Sequence, residues 1–112
     1  MASNSIEYGL KLSQEEYEEI EDLAAIGYSD AKIALYFDIP HNDFKREFNN
    51  EKSLVRRHYN IGLTKADAAV GMTLVENAKL GNITAIQQLE KLRKKTKAEL
   101  IKKQIYFPNE LE

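Results

Sequence analysis

Apolar residues recur every three to four positions along most of this chain and nowhere alternate with polar ones, which is typical of helices and not of strands. In the first amphipathic stretch the apolar positions are Tyr17, Ile20, Leu23 and Ala24. Ser13 and Glu16 stand three residues apart at its start, which is the spacing of a capping box. Gly27 is a natural stop, so the pattern predicts a helix over about 14–26.

Two shorter helices are predicted next, separated by Pro40. The first begins after Ser29, a good N-cap, and its apolar positions are Ile33, Ala34 and Phe37. Pro40 cannot continue a helix, and it also disfavours the helical conformation in the residue before it. The second covers about 41–49, with Phe44 and Phe48 four residues apart on one face.

The pattern in the second half of the chain predicts two longer helices, one on each side of the turn Gly81-Asn82. The first spans about 52–80, although a break near Gly62 with Thr64 as a new cap is an alternative. The second spans about 83–103. The predicted fold class is all-α, with an N-terminal three-helix helix-turn-helix unit followed by a long antiparallel helical hairpin. The predicted parts are a flexible lead (1–12), the helix-turn-helix unit (13–50), the helical hairpin (51–103) and a C-terminal tail (104–112).

Charge is divided unevenly along this 112-residue chain, whose formal net charge is −2. Residues 1–51 carry four basic and twelve acidic residues, a net charge of −8, whereas residues 52–112 carry twelve basic and six acidic residues, a net charge of +6. We expect the carboxylates of the first helix on its outward face, namely Glu15, Glu16, Glu18, Glu19, Glu21 and Asp22. The asymmetry favours either a surface that meets a charged partner or two solvated faces of opposite sign.

The composition disfavours several classes of protein. There is no cysteine, so disulfides and thiolate metal sites are excluded. No apolar run approaches the roughly 20 residues of a membrane helix, and no secretory signal pattern is visible. Phosphate-loop and His-Glu-x-x-His motifs are absent, and His41 and His58 stand alone in the sequence. We therefore expect a soluble cytoplasmic protein with no membrane partner, which is not an enzyme and holds no metal or cofactor.

The three helices predicted within 13–50 follow the helix-turn-helix plan, in which two short helices meet at a tight turn and a third braces them. Ala34 is small enough for the helix crossing, and Asp38 tolerates the positive φ of the turn. The candidate DNA-binding residues are Ser29 and Lys32 for phosphates, and His41, Asn42, Lys45, Arg46 and Asn49 for base edges in the major groove. Asp43 and Glu47 share the last helix, and a three-helix core without a role in DNA binding is the alternative.

The helix after Gly62 has a wider apolar face than one partner helix requires. The residues that form this face include Leu63, Ala66, Val70, Met72, Leu74 and Val75. We interpret the face as packing against the last helix on one side and against a second copy of the chain on the other, which makes the protein a homo-oligomer. Burial of the whole face within one subunit is the alternative.

The last predicted helix carries a run of basic residues, among them Lys91, Arg93, Lys94, Lys95 and Lys97. This run suits phosphate groups or the acidic helix of another subunit, and a solvated helix face is the simplest interpretation. The apolar segment 105–108 follows it, and this segment either folds back onto the core or docks on a partner.

One set of short segments follows the pattern of a known family: Gly27-Tyr28-Ser29, Ile33-Ala34, Phe37 and Ile39. They resemble the helix-turn-helix of that family, the small subunits of phage terminases. The segments 59–62 and 76–86 look like its central signature, an aromatic-x-x-Gly element and then an Ala-x-x-Gly-Asn corner. The resemblance covers about 20–95. It departs from the family at Asp38, where Gly is usual, and in the acidic N-terminal half.

The resemblance implies a non-catalytic DNA-packaging subunit. Such a protein binds viral double-stranded DNA, assembles through its central helices, often as a ring, and recruits the terminase large subunit with its ATPase and nuclease activities. Assembly also strengthens a weak single site through multivalency. Two further functions remain open from the residues. One is a dimeric helix-turn-helix transcriptional regulator, whose half-sites lie about one helical turn apart. The other is a protein–protein assembly module that does not bind DNA.

Overall fold

The computed structural model describes the backbone of residues 10–106 and the side chains of residues 10–104. Within this range the chain forms five helices and no strand. The helices are α1 (Gln14–Ala25), α2 (Asp30–Tyr36), α3 (His41–Phe48), α4 (Leu54–Lys79) and α5 (Ile83–Tyr106). The predicted all-α class is confirmed. The first nine residues of the predicted lead, and the side chains of the predicted tail after Gln104, lie outside the described residues.

Local signals set the helix ends. The hydroxyl of Ser13 accepts a hydrogen bond from the backbone N–H of Glu16 at 3.1 Å, and the Glu16 carboxylate accepts one from the N–H of Ser13 at 2.8 Å, so the predicted capping box is confirmed. Gly27 follows α1 with φ +87°, a conformation that favours glycine. At the start of α5 the amide oxygen of Asn82 accepts from the N–H of Ala85 at 2.9 Å.

The described residues form two compact units, one through Ala68 and one from Ala69 onward. The core of the first unit contains apolar residues from all of its helices: Ile20, Leu23, Ala24, Ile33, Ala34, Phe44 and Val55. Leu10, Leu12, Ile39 and five aromatic side chains pack around it. Val55 is the one member of this core that the amphipathic pattern does not predict, because it lies in the first turn of α4 and is contacted from other helices.

Helix α4 continues through Gly62, so the alternative of a break there is wrong. Gly62 is buried, and its Cα faces the backbone of Glu21 in α1. The hydroxyl of Thr64 donates to the carbonyl of Asn60 at 2.9 Å within the same helix, and it does not cap a new one. The glycine therefore allows close approach of two helices instead of ending one of them.

The second unit consists of the last turns of α4, the turn at Leu80–Asn82 and α5. Among its described side chains, Ala85 is the one that is buried, at 4% exposure. Its exposed large apolar residues are Val70, Met72, Leu80, Ile83, Ile86, Leu92, Leu100 and Ile101. An exposed apolar surface of this extent is typical of an interaction site.

Candidate nucleic-acid interface

Helix α3 is held by one aromatic side chain and presents polar residues to solvent. Phe44 is fully buried in the core of the first unit, and the ring of Phe48, one turn later, stacks near it at 6.3 Å between centroids. The residues predicted to contact bases all lie on the exposed part of this helix and its C-cap: His41, Asn42, Lys45, Arg46 and Asn49. The helical period explains the placement of four of them, since Asn42, Lys45, Arg46 and Asn49 lie one, two or five positions from Phe44 and so away from its buried side.

The connection between α2 and α3 is a short hydrogen-bonded turn. Asp38 has φ +56°, as predicted, and the N–H of Ile39 donates to the carbonyl of Ala34 at 2.9 Å. Ala34 is 1% exposed, so the small side chain lies in the core next to this turn. The backbone thus enters α3 at Pro40 in one defined direction, which fixes the face that α3 turns outward.

A histidine–carboxylate hydrogen bond and one ion pair restrain exposed side chains of α3. His41 Nε2 lies 3.0 Å from Asp30 Oδ2, and Arg46 Nη2 lies 2.8 Å from Asp43 Oδ1. The hydrogen bond from His41 is the main cause that lowers the pKa of the Asp30 carboxyl. The expectation that His41 stands alone is therefore wrong, because its partner lies eleven residues away on another helix.

The residues predicted to contact phosphates are exposed, and each also has a local structural role. The Ser29 hydroxyl accepts from the N–H of Lys32 at 3.3 Å and caps α2. The Lys32 ammonium lies 5.2 Å from the centre of the Tyr28 ring. Both side chains point to solvent near the start of α2, on the helix that precedes α3. Their positions are compatible with phosphate contacts, but the N-cap alone is a sufficient reason for Ser29.

The contact between α1 and α4 contains a charged cluster that the sequence does not reveal. Glu21 accepts hydrogen bonds from His58 Nδ1 at 2.7 Å and from Lys65 Nζ at 3.1 Å, and its side chain is only 14% exposed. The Tyr17 ring stacks on His58 at 5.0 Å. The hydrogen bond from His58 is the main cause that lowers the pKa of Glu21. Two expectations are thereby corrected: Glu21 is not part of the outward acidic face, and His58 does not stand alone.

An arginine packed on aromatic rings lies where α3 is followed by α4, and sequence reasoning missed it. The Arg56 guanidinium lies 4.6 Å from the centre of the Phe48 ring and 5.5 Å from that of Tyr59. Phe48 and Tyr59 meet edge to face at 4.8 Å. The Tyr59 hydroxyl donates to the carbonyl of Tyr28 at 2.8 Å. The i, i+3 spacing of Arg56 and Tyr59 was visible in the sequence, but their contact with Phe48 depends on the turn between the helices.

The residues of the predicted oligomerisation face and of the basic run differ in how far they are exposed to solvent. In the predicted oligomerisation face Leu63, Val70 and Met72 are exposed, at 38%, 59% and 70%, whereas Ala66, Leu74 and Val75 are half-buried. The basic run of α5 is exposed throughout, at Lys91, Arg93, Lys94, Lys95 and Lys97. Next to it, Leu92, Thr96 and Leu100 line a shallow apolar groove of about 340 Å³.

Comparisons of the chain with protein-family models, with curated proteins and with solved structures give no match. Among the described side chains, no three His, Asp or Glu residues come close enough together to hold a metal ion. None of the helices in the described range has the length and apolar content that a membrane crossing requires.

Proposed function

We propose that this protein is a non-catalytic DNA-binding subunit that assembles with further copies of itself, in the manner of the phage terminase small subunits that its sequence resembles. The observation that carries the proposal is the arrangement of α3. This helix is anchored through the buried Phe44, and it exposes side chains of the types that contact bases in DNA. Arg46 suits the acceptor edge of guanine, and Asn42 and Asn49 suit adenine.

The finer architecture belongs to the same proposal. In it, α2 and α3 are the two helices of a helix-turn-helix motif, Asp38 supplies the turn, and α1 is the bracing helix. The positive φ of Asp38 and the buried Ala34 support this assignment, since both are features that such a motif needs at its crossing. The last turns of α4 and helix α5 then form a helical hairpin that serves assembly.

The second unit supports self-assembly because it leaves large apolar side chains exposed. The exposed fractions of Met72, Leu80 and Ile83 are 70%, 84% and 69%. A partner that covers these side chains stabilises the assembly by about 25 cal/mol per Å² of apolar area buried. A second copy of the chain is the simplest partner that offers the same surface. Assembly places several α3 helices on one DNA molecule, and the resulting avidity compensates for a weak single site. The large terminase subunit in the host cytoplasm is the further partner in this proposal.

The test is a titration of duplex DNA with the full chain, followed by fluorescence anisotropy at several salt concentrations. Wild-type protein is expected to bind with an affinity that falls as salt rises. Replacing Lys45 and Arg46 together by Ala should lower the affinity and flatten the salt dependence. Replacing Lys11 and Lys79 by Ala removes the same charge from exposed positions outside α3 and is the control.

Two outcomes contradict parts of the proposal. If the Lys45/Arg46 double variant binds as the wild type does, α3 is not the DNA-contacting helix, and the basic run of α5 becomes the leading candidate. If the wild type has no salt-dependent affinity for DNA, the protein is an assembly module. The balance of two cations and two carboxylates in α3, at Lys45, Arg46, Asp43 and Glu47, is the observation that favours this second function.

The assembly size separates the packaging subunit from a dimeric transcriptional regulator. Light scattering of the protein in solution is expected to give a mass above that of a dimer, because a ring requires more than two copies. A dimer that protects two half-sites about one helical turn apart on DNA would instead identify a regulator.

A further inference from the structure

The exposed surface of α3 has too little positive charge to bind DNA by itself. Its two cations face two carboxylates in the same helix, and the ion pair of Arg46 with Asp43 neutralises one of them directly. Affinity for DNA depends mainly on how many phosphates a protein neutralises. If α3 contacts DNA as proposed above, another surface close to it has to supply the cations.

The first turns of α4 carry such a surface. A groove of about 750 Å³ runs along this part of the helix, and a smaller one of about 310 Å³ adjoins the end of α3. Both are lined by Glu51 and Asn60, so the two are neighbours. We call them together the α4 groove. Its cations are Lys52, Arg56, Arg57 and Lys65, against the single carboxylate of Glu51.

The side chains of the α4 groove are arranged along one face of the helix. Arg57, Asn60, Thr64 and Lys65 follow each other at intervals of three, four and one residues, and all four are exposed. From Arg57 to Lys65 the helix rises about 12 Å. One strand of B-DNA places roughly three phosphates along that length of its axis. Amide, hydroxyl and cationic groups in such a row are suited to a phosphate backbone and carry no information about base sequence.

The charge at the start of α4 is opposite to what a helix N-terminus favours. The first turn contains no acidic residue, whereas it carries Arg56 and the next position carries Arg57. Cations there are repelled by the positive end of the helix dipole. Helix α1 has the usual arrangement, with Glu15 and Glu16 in its first turn. Arg56 is packed on the rings of Phe48 and Tyr59, whereas Arg57 is exposed, and a bound phosphate relieves the repulsion there.

The α4 groove is held at a fixed place relative to α3. The Ser53 hydroxyl donates to the carbonyl of Glu47 at 2.5 Å and accepts from the N–H of Arg56 at 3.0 Å, so it joins the end of α3 to the start of α4. Arg56 is itself packed on Phe48 of α3. The groove is therefore preorganised next to the exposed residue Asn49.

We propose that the α4 groove binds the sugar–phosphate backbone of the same duplex whose bases α3 contacts. The inference rests on the proposed DNA-binding function and adds to it the surface that supplies most of the charge. Lys52 and Arg57 are its main contacts, because both are exposed and neither has an ion pair with a described residue. Lys65 contributes less, because it is already bonded to Glu21.

The experiment compares full-length wild type with the double variant Lys52→Gln/Arg57→Gln in the same salt titration of duplex DNA. Affinity is expected to fall about tenfold for every duplex sequence alike, and the slope of log K against log salt should lose about 1.8 per subunit, since each phosphate contact contributes about 0.9. The double variant Lys11→Gln/Lys79→Gln should keep the wild-type slope. Circular dichroism checks that both variants retain their helix content.

Three results are decisive. If the Lys52/Arg57 variant binds DNA with the wild-type salt slope, the α4 groove does not contact the DNA backbone, and the proposed function is unaffected. An equal loss in the Lys11/Lys79 control also overturns it, because the effect then reflects net charge and not a site. Absence of any DNA binding by the wild type overturns the proposed function and the groove together. A conservative Arg57→Lys variant, which keeps the charge, is expected to retain most of the affinity.

Discussion

The Cα of Gly62 in α4 lies directly against the backbone of Glu21 in α1. A methyl group added at Gly62 would lie within 2.7 Å of the Cα of Glu21 and closer still to its carbonyl oxygen. The side chain of the same Glu21 extends along α4 to His58 and Lys65. One residue of α1 therefore contacts α4 through both its backbone and its carboxylate, and this double contact fixes the crossing of the two helices.

The first prediction concerns this crossing. Gly62→Ala should lower the free energy of unfolding by about 2 kcal/mol or more, because the added methyl group meets backbone atoms that cannot move aside. The better helix propensity of alanine offsets only about 1 kcal/mol of the overpacking. Gly71→Ala is the matched control, since a methyl group there meets no atom within 4 Å. It should stabilise the protein by up to about 1 kcal/mol. Urea denaturation measures both, and equal stabilities would contradict the close contact.

The second prediction concerns pH. The pKa of Glu21 is lowered from its ordinary value of 4.5, chiefly by the hydrogen bond from His58. A carboxyl whose pKa is lower in the folded than in the unfolded protein stabilises the fold above the unfolded pKa, and this stabilisation disappears as pH falls through the folded pKa. Thermal unfolding of the wild type should therefore lose stability as pH drops below about 4.5.

The matched variants for this prediction are Glu21→Gln and Asp22→Asn. Glu21→Gln should be less stable than the wild type near neutral pH and should depend less on pH in the acid range, because it has no carboxyl to protonate. Asp22 lies next to it in α1 and is exposed, so Asp22→Asn should follow the wild-type curve. Parallel curves for Glu21→Gln and the wild type would show that the cluster does not couple to folding.

The third prediction concerns the hydroxyl of Tyr59, which donates to the backbone carbonyl of Tyr28 at 2.8 Å. Tyr59→Phe should lower the free energy of unfolding by about 1 kcal/mol, because a half-buried carbonyl loses its partner. Tyr36→Phe also removes one hydroxyl bond, to Glu19 at 2.6 Å, but at an exposed position where water replaces it. It should therefore cost less. The two variants are compared by chemical denaturation, and a larger loss in Tyr36→Phe would contradict the assignment.

The fourth prediction concerns self-assembly through the second unit. Met72→Asp places a charge on an apolar side chain that is 70% exposed, so the subunit itself tolerates it while a covering partner does not. Association should weaken tenfold or more, which light scattering detects as a lower mass at a given concentration. Thr73→Asp puts the same charge on the neighbouring exposed polar residue and should leave the mass nearly unchanged. Equal masses for Met72→Asp and the wild type would remove Met72 from the interface.

Features of the fold that depend on a few neighbouring residues were predictable from the sequence. The capping box of Ser13, the positive φ of Asp38 and the cap of Asn82 each involve atoms within three or four positions, so the sequence pattern contains all of the relevant chemistry. The burial of Phe44 and the exposure of Arg46 follow from the helical period alone. The exposure of the predicted face of α3 is therefore confirmed, and its contact with DNA stays a prediction.

Features that depend on partners far apart in the chain were not predictable. Six carboxylates share α1, and which of them is paired depends on His58, 37 residues away. Gly62 can end a helix or allow another backbone to approach, and only the position of α1 decides between the two. The α4 groove likewise depends on the turn that brings Phe48 to Arg56. The spacing of apolar residues along one helix contains no information about contacts between residues of different helices.

Because apolar side chains of the second unit are exposed, we expect the stability of this unit to depend on protein concentration. With Ala85 as its one buried residue among those described, this unit buries little apolar surface within one subunit, so under the proposed self-assembly most of its stabilisation comes from the association of copies. Its melting temperature should therefore rise with protein concentration. Under the proposed function, the amount of protein made in a cell then acts as a threshold: below it the subunits bind DNA singly and weakly, and above it they bind as a multivalent assembly.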